Sequence, residues 1–228
     1  QIGITRRIID SVQPDDWVVT VSESTKNDLC ERRPIDPERV FVVPNAASDD
    51  LFYPVTDDER IRTVRQKYGI PEGRYLLSLH SMAPHKNIPR LIEAFRLFIR
   101  QEKPSDTYLV LAGGLGRPRK EIFEELSLET ADLDRVYFTG FVEDDDLAPL
   151  YSGAEAFVFP SLYEGFGLPV LEAMQCGCPV IASDAASIPE VMGGAGIQVD
   201  PRDVTDLADA ICDLLASSET RRIGTQQG

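Results

Sequence analysis

No apolar run in this 228-residue chain approaches the roughly 20 residues needed to cross a bilayer, so a membrane-embedded protein is not expected. Basic residues are scarce: 23 Lys and Arg stand against 38 Asp and Glu, a net charge of −15. General binding to nucleic acid or to an anionic membrane surface needs cationic surface and is therefore not expected. A local basic pocket for a small anion remains compatible with that balance, and most of the acidity reads as solvated surface. Cysteine is sparse at four, and only Gly177 separates Cys176 from Cys178, which is neither zinc nor redox spacing. These sulfurs read as small buried hydrophobes of a reducing cytoplasm rather than as a disulfide. No signal-peptide pattern opens the sequence, and it starts at Gln1 rather than Met, which reads as a fragment or a processed product. A dinucleotide fingerprint is also missing. The first strand of the regular region ends in Leu79-His80-Ser81, and Gly113-Gly114-Leu115-Gly116 follows a different strand, which argues against a nicotinamide-dependent oxidoreductase.

What is present is an alternation of short apolar runs and amphipathic stretches. Strands are expected at Trp17–Val21, Val40–Val43, Tyr75–Leu79, Tyr108–Ala112, Val136–Phe138, Ala156–Phe159, Val180–Ala182 and, at an edge, Ile197–Val199. Helices are expected from Ser22 or Ser24 to about Cys30, then over Asn87–Ile99, Lys120–Leu128, Asp145–Ser152, Pro169–Gln175 and Thr205–Ala216, the fourth capped by the run Asp144-Asp145-Asp146. The strands are continuous apolar runs, as buried parallel strands are. The expected fold class is α/β: a Rossmann-like parallel sheet with helices on both faces. Residues 1–43 hold too few elements to bury a core of their own, so they are expected to be the end of another domain.

The densest stretch is Glu164-Gly165-Phe166-Gly167-Leu168-Pro169-Val170-Leu171-Glu172. A strand precedes it and a short helix follows. A strand, a glycine loop and a helix N-terminus in that order make a place for phosphate, because free amides and the helix dipole both favour an anion. Gly165 and Gly167 are expected to permit a tight turn and close approach. Pro169 suits the first helical turn, and Gly177 suits a helix stop. Glu164 and Glu172 are poor phosphate ligands, since like charges repel, but they suit hydroxyls: a transferred sugar at Glu164, a ribose diol at Glu172. Taken singly, each would be a solvated surface acid. Flanking this loop together, they suggest a sugar nucleotide.

The run Pro160-Ser161-Leu162-Tyr163-Glu164-Gly165-Phe166-Gly167-Leu168-Pro169 through Glu172-Ala173-Met174, then Gly177-x-Pro179-Val180-Ile181-Ala182-Ser183, resembles the signature of the group 1 (family 4) retaining glycosyltransferases of the GT-B fold. Val21-Ser22-Glu23-Ser24 with Val43-Pro44-Asn45, Lys86-Asn87-Ile88 with Leu91-Ile92-Glu93-Ala94-Phe95, Phe138-x-Gly140-Phe141-Val142 and Ser187-x-Pro189-Glu190 resemble the family in the same order. The resemblance implies the C-terminal half of a GT-B fold, with 44–228 as the nucleotide-sugar-binding domain and 1–43 as a remnant of the acceptor domain and linker. A final crossover helix is expected to lie beyond Gly228. The resemblance gives Lys86 and Glu164 catalytic roles, Lys86 on the donor pyrophosphate and Glu164 on the sugar. Gly140, Phe141 and Val142 would meet the base, unless Phe141 is simply a core residue. Gly165, Phe166, Gly167 and Leu168 would hold sugar and phosphate, and Glu172 the ribose. Ser81, counted with the donor-binding residues, stands where many relatives carry an arginine; Arg117 or Arg119 would compensate for a missing second guanidinium, unless both are simply surface residues of a polar loop. His85 reads as solvated.

The implied reaction is metal-independent hexose transfer, with retention and without a cofactor, from a GDP- or UDP-linked donor to a glycan or lipid-linked hydroxyl. The implied place is the cytoplasm, in polysaccharide assembly, with peripheral membrane contact of a parent enzyme open. The chain alone is expected to bind donor and to transfer poorly. Two other readings stay open: a binding fragment without turnover, and a glycoside hydrolase using Glu164 and Glu172. Base, sugar, acceptor and oligomeric state are not legible.

Overall fold

The computed structural model describes residues 9–79, 83–104, 106–114 and 135–216. Two parallel sheets organise them. The smaller pairs β1 (Val18–Thr20) with β2 (Val40–Val42) across helix α1 (Glu23–Arg32). Ser22 starts α1 as an N-cap, its hydroxyl accepting the Thr25 N–H. Among the described residues Leu29, Ile35 and Val40 form the buried cluster here, while Trp17 (66% exposed), Val19, Phe41 and Val43 stay exposed. So small a core buries little apolar surface by itself.

Helix α2 (Asp58–Lys67) leads into the larger sheet. Its strands are β3 (Arg74–Leu79), β4 (Thr107–Ala112), β5 (Val136–Gly140), β6 (Ala156–Phe159), β7 (Val180–Ser183) and β8 (Ile197–Val199), all parallel, in the order β5-β4-β3-β6-β7-β8. The remaining helices are α3 (Ile88–Glu102), α4 (Asp144–Ser152), α5 (Leu168–Gln175), α6 (Ile188–Met192) and α7 (Val204–Ala216). Side chains alternate across the sheet. Tyr75 and Leu77 join Val110, Phe157, Phe159 and Ala182 in a core covered by α2, α4, α5 and α6. Leu76 joins Leu109, Val158 and Ile181 in a second core covered by α3 and α7. Burial on both faces is why these strands read as unbroken apolar runs.

The expected α/β class is therefore present, and most element boundaries move by one to three residues. Two helices were not anticipated. α2 buries only Val64, so it lacks an apolar stripe; Asp57 caps it instead, accepting from the Glu59 and Arg60 amides. α6 is too short to show a period. The acidic run does not cap α4: Glu143 is the N-cap, without a side-chain hydrogen bond, and Asp144, Asp145 and Asp146 occupy the first turn, where their charge opposes the helix dipole. The expected helix over 120–128 lies outside the described residues. Cys176 and Cys178 are buried free thiols, pushed up by burial, Cys176 to about 12. Among the described residues no helix is long and apolar enough to cross a membrane.

Candidate functional site

The strand order reverses between β3 and β6, which are neighbours in the sheet although far apart in sequence. Chain segments leaving their carboxyl ends part in opposite directions, and the crevice between them is where ligands of such sheets bind. Lys86 ends a short 3-10 turn, Pro84–Lys86, that follows β3, and the glycine loop follows β6. Asn87 ties the two together. It is 2% exposed, sits at φ 58, and its Nδ2 donates to the carbonyls of Pro160 at 3.0 Å and Pro201 at 2.5 Å. The Leu162 N–H donates to the His85 carbonyl at 2.7 Å. Lys86 and Glu164 consequently meet: Nζ lies 2.7 Å from Oε1, both side chains 15% exposed. The same ammonium sits 4.7 Å from the Phe159 ring centroid, close enough for a cation–π contact.

The loop's carbonyls are all taken. The Ser187 hydroxyl lies 2.7 Å from the Phe166 oxygen and 3.0 Å from that of Glu164. Gly165 O accepts from the Ser22 hydroxyl at 2.6 Å and the Thr25 hydroxyl at 3.0 Å. The loop's amides are not. Among the described residues no acceptor meets the N–H groups of Phe166, Gly167 or Leu168. Gly167 is the N-cap of α5 and offers no side chain, and Pro169, two residues on, has no N–H to share. The first turn of this helix thus presents donors without acceptors, beside Pro169.

The two loop glycines differ. Gly167 has φ 110, and a Cβ there would lie 2.6 Å from Ile188 Cδ1, so only glycine fits. Gly165 corrects the expectation of a second obligatory turn residue. Its φ lies outside the left-handed region, and a Cβ would find Thr25 Oγ1 at 3.9 Å, an ordinary contact. Gly177 ends α5 as expected, at φ 72, with its own N–H on Met174 O and the Cys178 N–H on Ala173 O, a Schellman stop.

Glu172, one turn into α5, accepts the Tyr151 hydroxyl at 3.0 Å on Oε2. Burial pushes its carboxyl up, the Tyr151 hydrogen bond opposes that, and the charge of Asp144 adds to it. Tyr151, fully buried, is pushed well above its ordinary range by burial and by Glu172, so it stays a neutral donor.

A cleft of about 300 Å³ opens at the carboxyl edge, lined by Lys86, Gly113, Phe141, Val142, Asp144 and Pro169 among others. Its outer wall follows from a bulge in β5: Leu111 pairs with Phe138 but Ala112 pairs with Gly140, leaving Thr139 over. The Gly113 N–H donates to the Gly140 carbonyl at 2.8 Å. Phe141 is 70% exposed, so it is no core residue. Glu164 reaches this cleft only through Lys86, and Glu172 is not on its wall. Ser81, Arg117 and Arg119 lie outside the described residues, and His85 is exposed as expected.

The model of the family described as glycosyl transferases group 1 matches residues 60–228. The chain belongs to the group 1 glycosyl transferases. O-antigen chain mannosyltransferase B of Escherichia coli is 34% identical over 219 residues, 96% of this chain and 56% of that protein. The serotype-specific mannosyltransferase WbdA of the same organism is 37% identical over 197 residues, 84% of this chain and 23% of WbdA. The chain thus spans about half or less of these relatives. The crystal structure of Anabaena Alr3699/HepE in complex with UDP-glucose superposes with a TM-score of 0.78 at 22% identity, covering 98% of this chain and 60% of that one, which establishes the shared fold.

Sequence reasoning on this group 1 member missed the groups that hold the site rather than form it. Ser22 and Thr25 reach the loop from the smaller sheet. The Glu190 carboxylate takes the Glu23 and Ser24 amides at 2.9 and 3.1 Å, capping α1, and the Tyr163 hydroxyl donates to Asp28 at 2.6 Å. The motif residues Ser187 and Glu190 were visible, but not that they serve a contact between distant segments.

Proposed function

We propose that the cleft binds a nucleoside diphosphate sugar and that the protein to which the chain belongs transfers the hexose, with retention and without a metal, to a glycan or lipid-linked hydroxyl. One observation carries this reading: a loop whose carbonyls are met by hydroxyls and whose Phe166–Leu168 amides meet no acceptor among the described residues, next to Lys86 at the switch point of a parallel sheet. Such an arrangement favours a multiply charged oxyanion. In the reaction, Lys86 and the Phe166–Leu168 amides take up the charge growing on the departing diphosphate, preorganised donors being most effective where charge develops. Glu164 then leaves Lys86 to the phosphates and accepts from hydroxyls of the transferred sugar. Glu172, held by Tyr151, accepts from the ribose. Mannosyltransferase relatives favour mannose as the hexose, and a structural neighbour crystallised with UDP-glucose supports a nucleotide sugar as donor.

Calorimetric titration of the chain with GDP and UDP, against guanosine and uridine, tests the reading. At least one diphosphate binds ten times or more tightly than its nucleoside, and EDTA leaves that affinity unchanged. Equal affinity for diphosphate and nucleoside overturns the anion site; loss of binding in EDTA overturns only the metal-free part. For the longer protein, incubation with nucleotide sugar and acceptor followed by NMR of the product's anomeric centre reads retention directly.

A further inference from the structure

Among the described residues Lys86 and Asp144 are the charged side chains on the cleft wall, and they follow different strands. Lys86 follows β3 and Asp144 follows β5, with β4 between. Two strand spacings of about 4.8 Å separate those elements by roughly 10 Å, room for a ribose between a diphosphate and a base. Coulomb's law fixes the polarity: phosphate goes to the lysine and is repelled from the aspartate. Whatever lies against Asp144 must offer hydrogen-bond donors instead. Phe141, exposed beside it, offers a ring face on which a base can stack.

Among the described residues nothing engages Asp144 in place of such a ligand. Among the described residues its carboxylate has no hydrogen bond or ion pair, whereas its neighbours are strapped down. The Glu143 N–H donates to the Tyr68 hydroxyl oxygen at 3.1 Å, and Asp146 Oδ2 takes Lys67 Nζ at 2.5 Å and the Tyr68 hydroxyl at 2.7 Å. The turn is therefore anchored to α2 on both sides of Asp144 without using its carboxylate. The charge of Asp144 also reaches Glu172, which places the base-end acid near the acid assigned to the ribose.

Resting on the donor-site reading above, we propose that Asp144 is a specificity-determining residue that selects guanine over uracil. The exposed edge of guanine carries two adjacent donors, N1–H and the 2-amino group, which match the two oxygens of a carboxylate. Uracil offers one N–H flanked by two carbonyl oxygens, and those face a carboxylate with like partial charge. A bidentate match of this kind discriminates by roughly tenfold to a hundredfold.

The test is calorimetric titration of the wild-type chain, Asp144→Ala and Asp144→Asn with GDP, UDP and inosine diphosphate, which lacks the 2-amino group. Wild type binds GDP at least tenfold more tightly than UDP, with inosine diphosphate between. Asp144→Ala weakens GDP about tenfold or more and leaves UDP unchanged or tighter; Asp144→Asn, which keeps the shape, falls between. Equal wild-type affinities for GDP and UDP overturn the proposal and leave the donor site standing. So does an Asp144→Ala variant that weakens both nucleotides alike. Failure of all three diphosphates to bind wild type overturns both readings.

Discussion

The two sides of the glycine loop obey opposite rules. On one side every carbonyl of Glu164, Gly165 and Phe166 finds a hydroxyl, from Ser187, Ser22 or Thr25. On the other side the amides of Phe166, Gly167 and Leu168 find nothing among the described residues. A folded chain ordinarily satisfies both, because an unpaired buried polar group costs about 1–3 kcal/mol. Here the fold satisfies acceptors and keeps donors in reserve. The acceptors are met by segments far off in sequence, so the donors' orientation is a property of the whole fold and not of the loop.

The sharpest way to break the comparison is to remove the charge on the donor side. Lys86→Met lowers affinity for a nucleoside diphosphate by roughly tenfold to a hundredfold, since a hydrogen bond to a charged group is worth about 1.5–3 kcal/mol, while affinity for the free nucleoside stays constant. Titration of both ligands reads the difference, and a parallel loss for both refutes the assignment to phosphate. Next in size is the acceptor side. Ser187 is 0% exposed, and Ser187→Ala removes the one hydroxyl proton that the Glu164 and Phe166 carbonyls share, a cost of about 1–3 kcal/mol. For a chain of this size each kcal/mol lowers Tm by about 2–4 °C. Diphosphate affinity falls with it, because the amides lose their backing. An unaltered Tm in thermal denaturation contradicts the claim that this side is structural.

The donor side was far more legible than the acceptor side. A glycine loop, a proline at the start of a helix and a lysine before a second helix are local patterns, and the backbone chemistry they encode is local too. Parallel strands announce themselves as unbroken apolar runs, so the sheet was legible as well. Asn87, Ser187, Ser22 and Glu190 act across separations that no local pattern reports: Asn87 Nδ2 reaches Pro201, and Glu190 reaches Glu23. A buried Asn and a surface Asn look alike in a sequence. The helix α2 was missed for a different reason, since caps and charge hold it rather than an apolar face. The equivalence assigned to Gly165 and Gly167 failed because sequence shows glycine but not φ.

Glu172 sharpens the comparison by titration. Its carboxyl is pushed above the ordinary value of 4.5, mainly by burial, so the folded state holds the proton more tightly than the unfolded state does. The resulting stability is fully present below about 4.5 and is lost as pH rises through the folded-state value. Glu172→Gln keeps an acceptor for Tyr151 and removes the buried charge. It therefore melts higher than wild type at pH 7, and the gap closes as pH falls toward 4.5. The same variant narrows the preference for GDP over 2′-deoxy-GDP or 3′-deoxy-GDP, which no purely structural carboxylate would alter. A wild-type-like pH profile of Tm denies the buried charge, and an unchanged deoxy preference denies the ribose contact.

The smallest effect is expected at Gly165, and it separates the two glycines. Gly167→Ala forces φ 110 on an L-residue and drives its Cβ to 2.6 Å from Ile188 Cδ1; backbone strain of this kind costs about 1–3 kcal/mol, and the amides move with it. Gly165→Ala meets Thr25 Oγ1 at 3.9 Å and Val21 Cγ2 at 4.0 Å. Those atoms belong to the segment that holds the loop's acceptor side, so the added methyl points away from the open amides. Stability then shifts by no more than about 0.5 kcal/mol, and diphosphate affinity stays at the wild-type value. If Gly165→Ala weakens binding as much as Gly167→Ala does, the loop's two sides are not separable. The donors would then answer to the packing behind them even where that packing has room to spare.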